Sequence, residues 1–184
     1  MRKQLFTLLA ILLFSSPLTA QNIATKTNLL MDATLSFSAG AEVKLAPGWT
    51  FDLSGSYNPW TLSENRKWKH WMIQPEFRFW FRESFDGWFI AGHAQGGVYN
   101  LGNLPFSLLG NGRYEGWFVG FGLAGGYQWI LSRHFGLEME IGAGYNYSRY
   151  DRYRCETCGE KLEEDMPYHY LGPTKASLAV IYYF

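Results

Sequence analysis

The side chains whose types and spacing suggest chemistry include one pair of cysteines. Cys155 and Cys158 stand in a C-x-x-C-G motif and are the only cysteines of the sequence. The motif is half of a zinc-knuckle pattern, and a structural zinc site needs four ligands, for which His169 and His70 are candidates. A thioredoxin-like redox pair needs a strand-to-helix junction of a soluble fold, which nothing in the sequence supplies. For an exported chain, a Cys155–Cys158 disulfide is the simplest expectation, and it closes only a short loop.

A second group of residues could transfer protons. Glu138 and Glu140 are two positions apart, so on a β-strand both side chains point the same way. Paired carboxylates suit general acid–base catalysis, and His93 is a candidate base or pH-sensitive gate. The sequence marks no nucleophile to accompany them, and such charges also serve as structure inside β-barrels. We expect no catalytic residue, no cofactor and no enzymatic activity, with Cys155, Cys158 and His169 as weak metal-ligand candidates.

The elements that would position these residues are β-strands. Residues 49–57 (W-T-F-D-L-S-G-S-Y) alternate strictly between two sets of side chains, as a strand with one apolar and one polar face does. Short turns alternate with long connections along the chain. The pattern predicts an all-β, eight-stranded antiparallel transmembrane β-barrel of the outer-membrane type, with short periplasmic turns and long extracellular loops. The candidate strands are residues 24–32, 36–45, 49–58, 70–82, 88–99, 115–131, 135–150 and 173–184. The long connections are residues 59–69, 100–114 and 151–172, and a first short hairpin covers residues 33–35.

The apolar faces of these strands carry no charge, which matters because Lys or Arg at the bilayer midplane costs about 2–4 kcal/mol. Tryptophans stand near both ends of the strands, as in the aromatic girdles at membrane boundaries. A soluble β-sandwich would also alternate, but it would scatter its tryptophans. Pro75 cannot donate a hydrogen bond to a neighbouring strand, so we expect a bulge there. The girdle residues are Trp49, Trp88 and Trp129 beside the short turns and Trp60, Trp71 and Trp117 beside the long loops.

The polar faces would fill the inside of the barrel. Five acidic and five basic residues fall on them, and equal numbers of opposite charges in a narrow lumen predict a network of ion pairs that closes it to ions. A narrow pore and a soluble barrel with an apolar ligand remain alternatives. The charged lumen argues against the second. The predicted inward charges are Lys26, Glu42, Lys44, Asp52, Glu76, Arg78, Arg82, Glu138, Glu140 and Lys175.

The long loops carry the candidate interaction residues. The first mixes cations with tryptophan at Trp60, Arg66, Lys67 and Trp68, which suits an anionic sugar or a protein partner and equally suits a solvated rim of the girdle. Residues 104–110 are largely apolar, and an exposed patch of this kind often marks a contact site.

Residues 1–20 have the features of a signal peptide: a basic start, a short apolar run and a small-residue exit before Gln21. Residues 21–184 suit one domain. The formal net charge is +0 and the pI is near 6.9, so nothing indicates nucleic-acid binding. The mean hydropathy of -0.17 does not argue against a membrane barrel, because alternation dilutes every apolar stretch. The expected location is the outer membrane.

Seven motifs stand at residues 26–30, 56–60, 66–71, 113–117, 127–132, 155–159 and 172–175. Together they resemble a domain-of-unknown-function family of small outer-membrane β-barrel proteins from Bacteroidota. The resemblance covers nearly the whole mature chain. It implies an outer-membrane barrel often associated with fimbrial gene clusters, with no known activity and no catalytic residues. Phe184, with Tyr182 two residues before it, also resembles the signal read by the barrel-insertion machinery.

The function expected from these observations is a closed, non-enzymatic outer-membrane barrel with a structural or surface-interaction role. Its partners would be membrane lipid, the insertion machinery during biogenesis and a surface or fimbrial protein. The alternatives are a small lipid-modifying membrane enzyme, which would need a Ser, His and acidic group on the lipid-facing surface, and a narrow pore.

Overall fold

The computed structural model describes residues 22–61, 67–102, 112–155 and 159–184 and shows an all-β fold. Eight strands run antiparallel in chain order, and the first pairs with the last, so the ring closes into a barrel. Within the described ranges, no helix has the length and apolar character needed to cross a membrane. The elements are β1 (Ile23–Asn28), α1 (Leu29–Ala33), β2 (Phe37–Ala46), β3 (Trp49–Asn58), β4 (Lys67–Trp80), β5 (Gly87–Gly102), β6 (Arg113–Ile130), β7 (Phe135–Tyr153) and β8 (Lys161–Tyr183).

The period-two sequence pattern produces two faces of opposite character. Along the first half of β5, side chains alternate between buried and exposed at every residue, as expected of a strand whose alternate side chains point to opposite sides. Most of the buried side chains among the described residues are polar or charged, whereas large apolar side chains dominate the exposed face. This distribution is the reverse of a soluble protein core. The exposed apolar residues include Leu53, Ile73, Phe77, Ile90, Val119, Phe121, Leu123, Met139, Ile141 and Leu171.

The first strand ends earlier than the sequence pattern predicts. Residues 29–33 form the short helix α1 rather than the end of a strand. Asn28 causes the change, because its side chain accepts a hydrogen bond from the main-chain N–H of Leu30 and so caps the helix. The same side chain donates to the carbonyl of Ala176 and accepts from the N–H of Leu178. Asn28 therefore joins α1 to β8 where β1 stops.

The eighth strand begins twelve residues earlier than predicted. Most of the expected long loop of residues 151–172 is strand, because β7 and β8 form a long hairpin that pairs as far as Tyr153 and Lys161. Pro167 and Pro173 both lie within β8. They are tolerated because β1 pairs only with the last five residues of β8, which leaves the rest of β8 as an edge among the described residues.

The expected bulge at Pro75 is wrong. Pro75 lies opposite Leu53 in a regular register with β3, and the register with β5 is unchanged on either side of it. The register shifts between Lys44 and Ala46 in β2, and a bulge lies in β8, where Gly142 faces Lys175 and Ala143 faces Pro173. The extra residue there is Thr174, and it places two consecutive side chains toward the inside.

Candidate functional site

The centre of the ring is a buried charge network organised by Arg78. Its guanidinium is fully buried and contacts four carboxylates. The donor–acceptor distances are 2.6 Å to Glu76, 2.9 Å to Glu42, 2.6 Å to Glu138 and 2.8 Å to Glu140. Two of these acids come from the far side of the ring, because period two puts all four on the inner face and the ring is narrow enough for one side chain to span it.

Two lysines complete the network. Lys26 Nζ lies 2.7 Å from Glu42, 3.3 Å from Asp52 and 3.3 Å from Glu138. Lys175 Nζ lies 2.5 Å from Glu76 and 3.1 Å from Glu140. All of these side chains are nearly inaccessible to solvent, so each cation must be shared between acids to offset its loss of hydration. The members are Lys26, Arg78, Lys175, Glu42, Asp52, Glu76, Glu138 and Glu140.

Two of the predicted inward charges do not join the network. Lys44 is exposed, because it lies near the turn at the end of β2, where its flexible side chain can reach solvent. Arg82 lies beyond the end of β4, its side chain is 72% exposed, and it pairs with Asp86 at 3.6 Å. The expected balance of five acids and five bases is therefore wrong, and the network holds five acids and three bases.

Aromatic side chains pack inside the ring beneath the network, on the side of the short turns. Trp80 and Phe89 are almost fully buried, and their ring centroids are 4.7 Å apart. The guanidinium carbon of Arg78 lies 4.4 Å above the Phe89 ring, a cation–π contact. Trp80 Nε1 donates to Thr50 Oγ1, which in turn donates to Glu42. Trp80 and Phe89 therefore form an aromatic floor, which contacts the charge network through both packing and hydrogen bonds.

A cavity of about 260 Å³ borders the charge network. Beside it, a chain of hydrogen-bonded side-chain amides crosses the lumen. Gln74 donates to Gln95, and Gln95 donates to Asn146, at 2.8 and 2.7 Å. Gly120 on β6 makes this crossing possible, because a Cβ there would stand 1.7 Å from Asn146 Oδ1. The polar lining shows that this half of the lumen is built for water or polar groups.

The closest approach to a catalytic arrangement is Thr174, His93 and Glu76. His93 Nε2 lies 2.9 Å from Thr174 Oγ1, which the bulge in β8 directs inward. His93 Nδ1 lies 4.0 Å from Glu76 Oε2, beyond hydrogen-bond distance, and that oxygen already accepts from Lys175. Gly122 leaves room for the imidazole, since a Cβ there would stand 2.8 Å from His93 Nε2. The histidine is thus held by Thr174, without the oriented acid of a nucleophilic triad.

The cysteine motif and the histidines do not form a metal centre among the residues that the structure describes. Cys155 is disulfide-bonded, and Cys158 lies outside the described residues, so the pairing of the two stays a prediction. His169 contacts the hydroxyl of Tyr145, and His70 contacts Ser56.

The predicted loop residues are spread along one end of the ring. Trp60 is exposed and packs against Phe37, with ring centroids 6.1 Å apart. Lys67 and Trp68 belong to the start of β4 rather than to a loop. Lys67 also pairs with Thr61 in an isolated antiparallel β-bridge. Arg66 lies outside the described residues.

The hairpin of β7 and β8 ends in exposed ion pairs beyond the ring. Lys161 Nζ lies 2.8 Å from Asp151 and 2.9 Å from Glu164. The hydrogen bond from Lys161, followed by one from the main-chain N–H of Asp165, holds the pKa of Asp151 below its usual value. These contacts fix the conformation of the hairpin tip, which stays exposed to solvent.

Sequence reasoning missed Thr174 and the amide chain of Gln74, Gln95 and Asn146. Uncharged polar residues on an inward row carry no distinctive pattern. The one available signal for Thr174 was its position between Pro173 and the inward Lys175. A proline next to an inward residue is a place where a strand often bulges.

Comparison with known families places this geometry in context. The model of a family described as a protein of unknown function, DUF3575, matches residues 5–184. The chain belongs to the DUF3575 family. Membership confirms the resemblance to an uncharacterised domain family, while the origin in Bacteroidota and the link to fimbrial gene clusters stay predictions. No curated protein and no solved structure matches this DUF3575 chain.

Proposed function

We propose that this chain is a non-enzymatic outer-membrane β-barrel with a closed lumen and a structural or surface-interaction role. The observation that carries the proposal is the inverted distribution of polarity, with apolar side chains around the outside of the ring and charges inside. In a bilayer this arrangement satisfies both faces, because lipid solvates the apolar side chains and the network pairs the charges. In water the same exterior would be an unusually large apolar surface.

The height of the apolar band supports this placement. On β5 the outward row runs from Trp88 to Val98, both exposed. Ten residues at a rise of about 3.4 Å, on a strand tilted by about 40°, span roughly 26 Å, close to the apolar band of about 25 Å in outer-membrane barrels. Exposed aromatics stand at both ends of the band, as expected of girdles at the two membrane boundaries. They are Trp49, Trp88 and Trp129 at the turn end and Tyr57, Trp60, Trp71 and Trp117 at the other.

Location in a membrane is tested by thiol labelling. Phe77 is 56% exposed on the outer face of β4, and Glu164 lies in the hairpin beyond the ring. In native membranes, we expect Phe77→Cys to resist a water-soluble maleimide, and Leu137→Cys to resist it as well. Glu164→Cys, the matched control, should be modified readily. Ready modification of both membrane-facing positions, or recovery of the chain as a soluble periplasmic monomer, would refute the proposal.

The proposal of a closed lumen rests on the charge network and the aromatic floor. Arg78 spans the ring, and Trp80 and Phe89 pack beneath it. A side-chain plug of this kind leaves no continuous water path for ions. In planar bilayers we expect no single-channel conductance from the purified chain. Steady ion flow would favour the narrow pore instead.

The proposed surface role rests on the part of the hairpin that projects past the ring. Arg154 and Glu160 are both largely exposed at its tip and lie 3.3 Å apart. A charged, ordered hairpin facing the cell exterior suits contact with another envelope or fimbrial protein. A photo-crosslinker at Glu160 on intact cells should capture a discrete protein partner. The same group at Phe121, on the outer face of the band, should capture lipid. Equal protein capture from both positions would contradict a hairpin-specific contact.

A further inference from the structure

The charge network lacks two positive charges. Five carboxylates are buried with two lysines and one arginine, so the formal sum is −2. Each cation is already committed: Arg78 contacts four acids, Lys26 three and Lys175 two. Uncompensated charge in a buried site is costly, and either a bound cation or a proton on one of the carboxylates would balance it.

Two carboxylates direct unsatisfied oxygens into the cavity on the network. Asp52 and Glu140 line that cavity and are about 1% exposed. Neither Asp52 oxygen accepts a hydrogen bond, although Lys26 Nζ stands 3.3 Å from Oδ1, and Glu140 Oε1 accepts none. Asp52 also lies directly between Glu42 and Glu76 on the neighbouring strands. Like charges opposite one another on a sheet repel, which makes Asp52 the acid most in need of a cation.

We propose that this cavity binds one hydrated divalent cation of the Mg²⁺ or Ca²⁺ class, held by Asp52 with help from Glu140. One such ion brings the network to neutrality. Hard divalent cations prefer oxygen ligands, and Mg²⁺ commonly keeps several waters while binding only one or two carboxylates. Such a site needs fewer than three protein ligands, and no group of three or more His, Cys, Asp or Glu side chains that could hold a metal ion occurs among the described residues.

The size and lining of the cavity fit an ion with its water shell. About six waters at roughly 30 Å³ each need about 180 Å³, and the cavity holds about 260 Å³. Its walls carry the side chains of Ser54, Gln74 and Asn146, which can hydrogen-bond such waters. They also carry Lys26, Arg78 and Lys175, whose three positive charges are already included in the formal sum of −2. The inference does not depend on the membrane proposal, because the network is buried inside the ring in either setting.

The test measures thermal unfolding of the full chain in detergent micelles at pH 8, after chelator treatment. Mg²⁺ is added at ionic strength matched with choline chloride. At tenfold excess over its dissociation constant, we expect a rise in Tm of roughly 3–6 °C. Asp52→Asn should abolish the rise. Asp86→Asn, in the turn between β4 and β5 and outside the network, should keep it. If Asp52→Asn does not fold, Glu140→Gln serves in its place and should reduce the rise.

A second measurement locates the ion. Mn²⁺ should broaden the side-chain amide NMR signals of Gln95 and Asn146, which line the cavity, and excess Mg²⁺ should reverse the broadening. The proposal is overturned if the Tm rise persists unchanged in Asp52→Asn, or if K⁺ produces it equally at the same ionic strength. It is also overturned if Mg²⁺ has no effect on the Tm. Stabilisation by acidification alone would then identify protons as the source of the missing charge.

Discussion

Replacing Arg78 by alanine removes the side chain that holds the charge network together. Arg78 is fully buried and donates to Glu42, Glu76, Glu138 and Glu140. After the substitution the acids keep only the two lysines, and the formal charge of the site falls from −2 to −3. The repulsion between the remaining carboxylates, and not only the lost hydrogen bonds, then opposes folding.

The magnitude follows from the number of interactions lost. Removing one partner of a buried ion pair costs about 3–5 kcal/mol, and Arg78 serves four acids while also packing over Phe89 at 4.4 Å. We therefore expect a loss of at least about 5 kcal/mol in the free energy of unfolding, a large share of the 5–15 kcal/mol typical of folded proteins. Some of the chain should fail to reach the folded state.

The assay is urea unfolding of the refolded chain in detergent, followed by tryptophan fluorescence and by gel mobility before and after heating. Arg82→Ala is the matched control. It removes the same side chain four residues later, where it is 72% exposed and pairs with Asp86 at 3.6 Å. Its expected cost is below about 1 kcal/mol. Equal losses for Arg78→Ala and Arg82→Ala would refute the reasoning.

A double mutant separates charge from packing. Alone, Glu138→Gln should destabilise, because Glu138 accepts from Arg78 at 2.6 Å and faces Lys26 at 3.3 Å. In the Arg78→Ala background it should instead restore stability, because it removes one of the uncompensated carboxylates. Destabilisation of the same size in both backgrounds would mean that Arg78 acts through packing rather than charge.

Two further predictions concern close packing and the join between β1 and β8. Gly122→Ala should cost about 1–3 kcal/mol in unfolding free energy, because the new Cβ would meet the carbonyl of Ala143 at 2.6 Å and the His93 ring at 2.8 Å. Gly92→Ala, with nothing within 4 Å of its Cβ, is the control and should be near neutral; similar losses would contradict the steric argument. Asn28→Ala should cost about 1–2 kcal/mol, because it removes the helix cap and two hydrogen bonds to β8. Hydrogen exchange at Leu30 and Leu178 should rise in that variant, and unchanged exchange at both would count against the proposed join.

The sequence indicated the strands and their faces because alternation is a local property of extended backbone. The spacing of polar and apolar residues was enough to assign five charged residues to the inner face: Asp52, Glu76, Arg78, Glu138 and Glu140. The ends of the strands were harder to predict from the sequence. Asn28 and Pro167 affect main-chain hydrogen bonds, and whether a helix cap or a free strand edge results depends on which strand lies alongside.

By itself, then, the sequence determined that this chain forms an inside-polar, outside-apolar set of eight strands, because a side-chain period of two fixes the face of every residue. Only the tertiary structure decided which charges meet. Lys175 and Glu76 are 99 residues apart, and Lys26 and Glu138 are 112 apart. Their contact depends on the register of every intervening strand and on closure of the ring, and the same registers leave Lys44 and Arg82 at the solvent-exposed end.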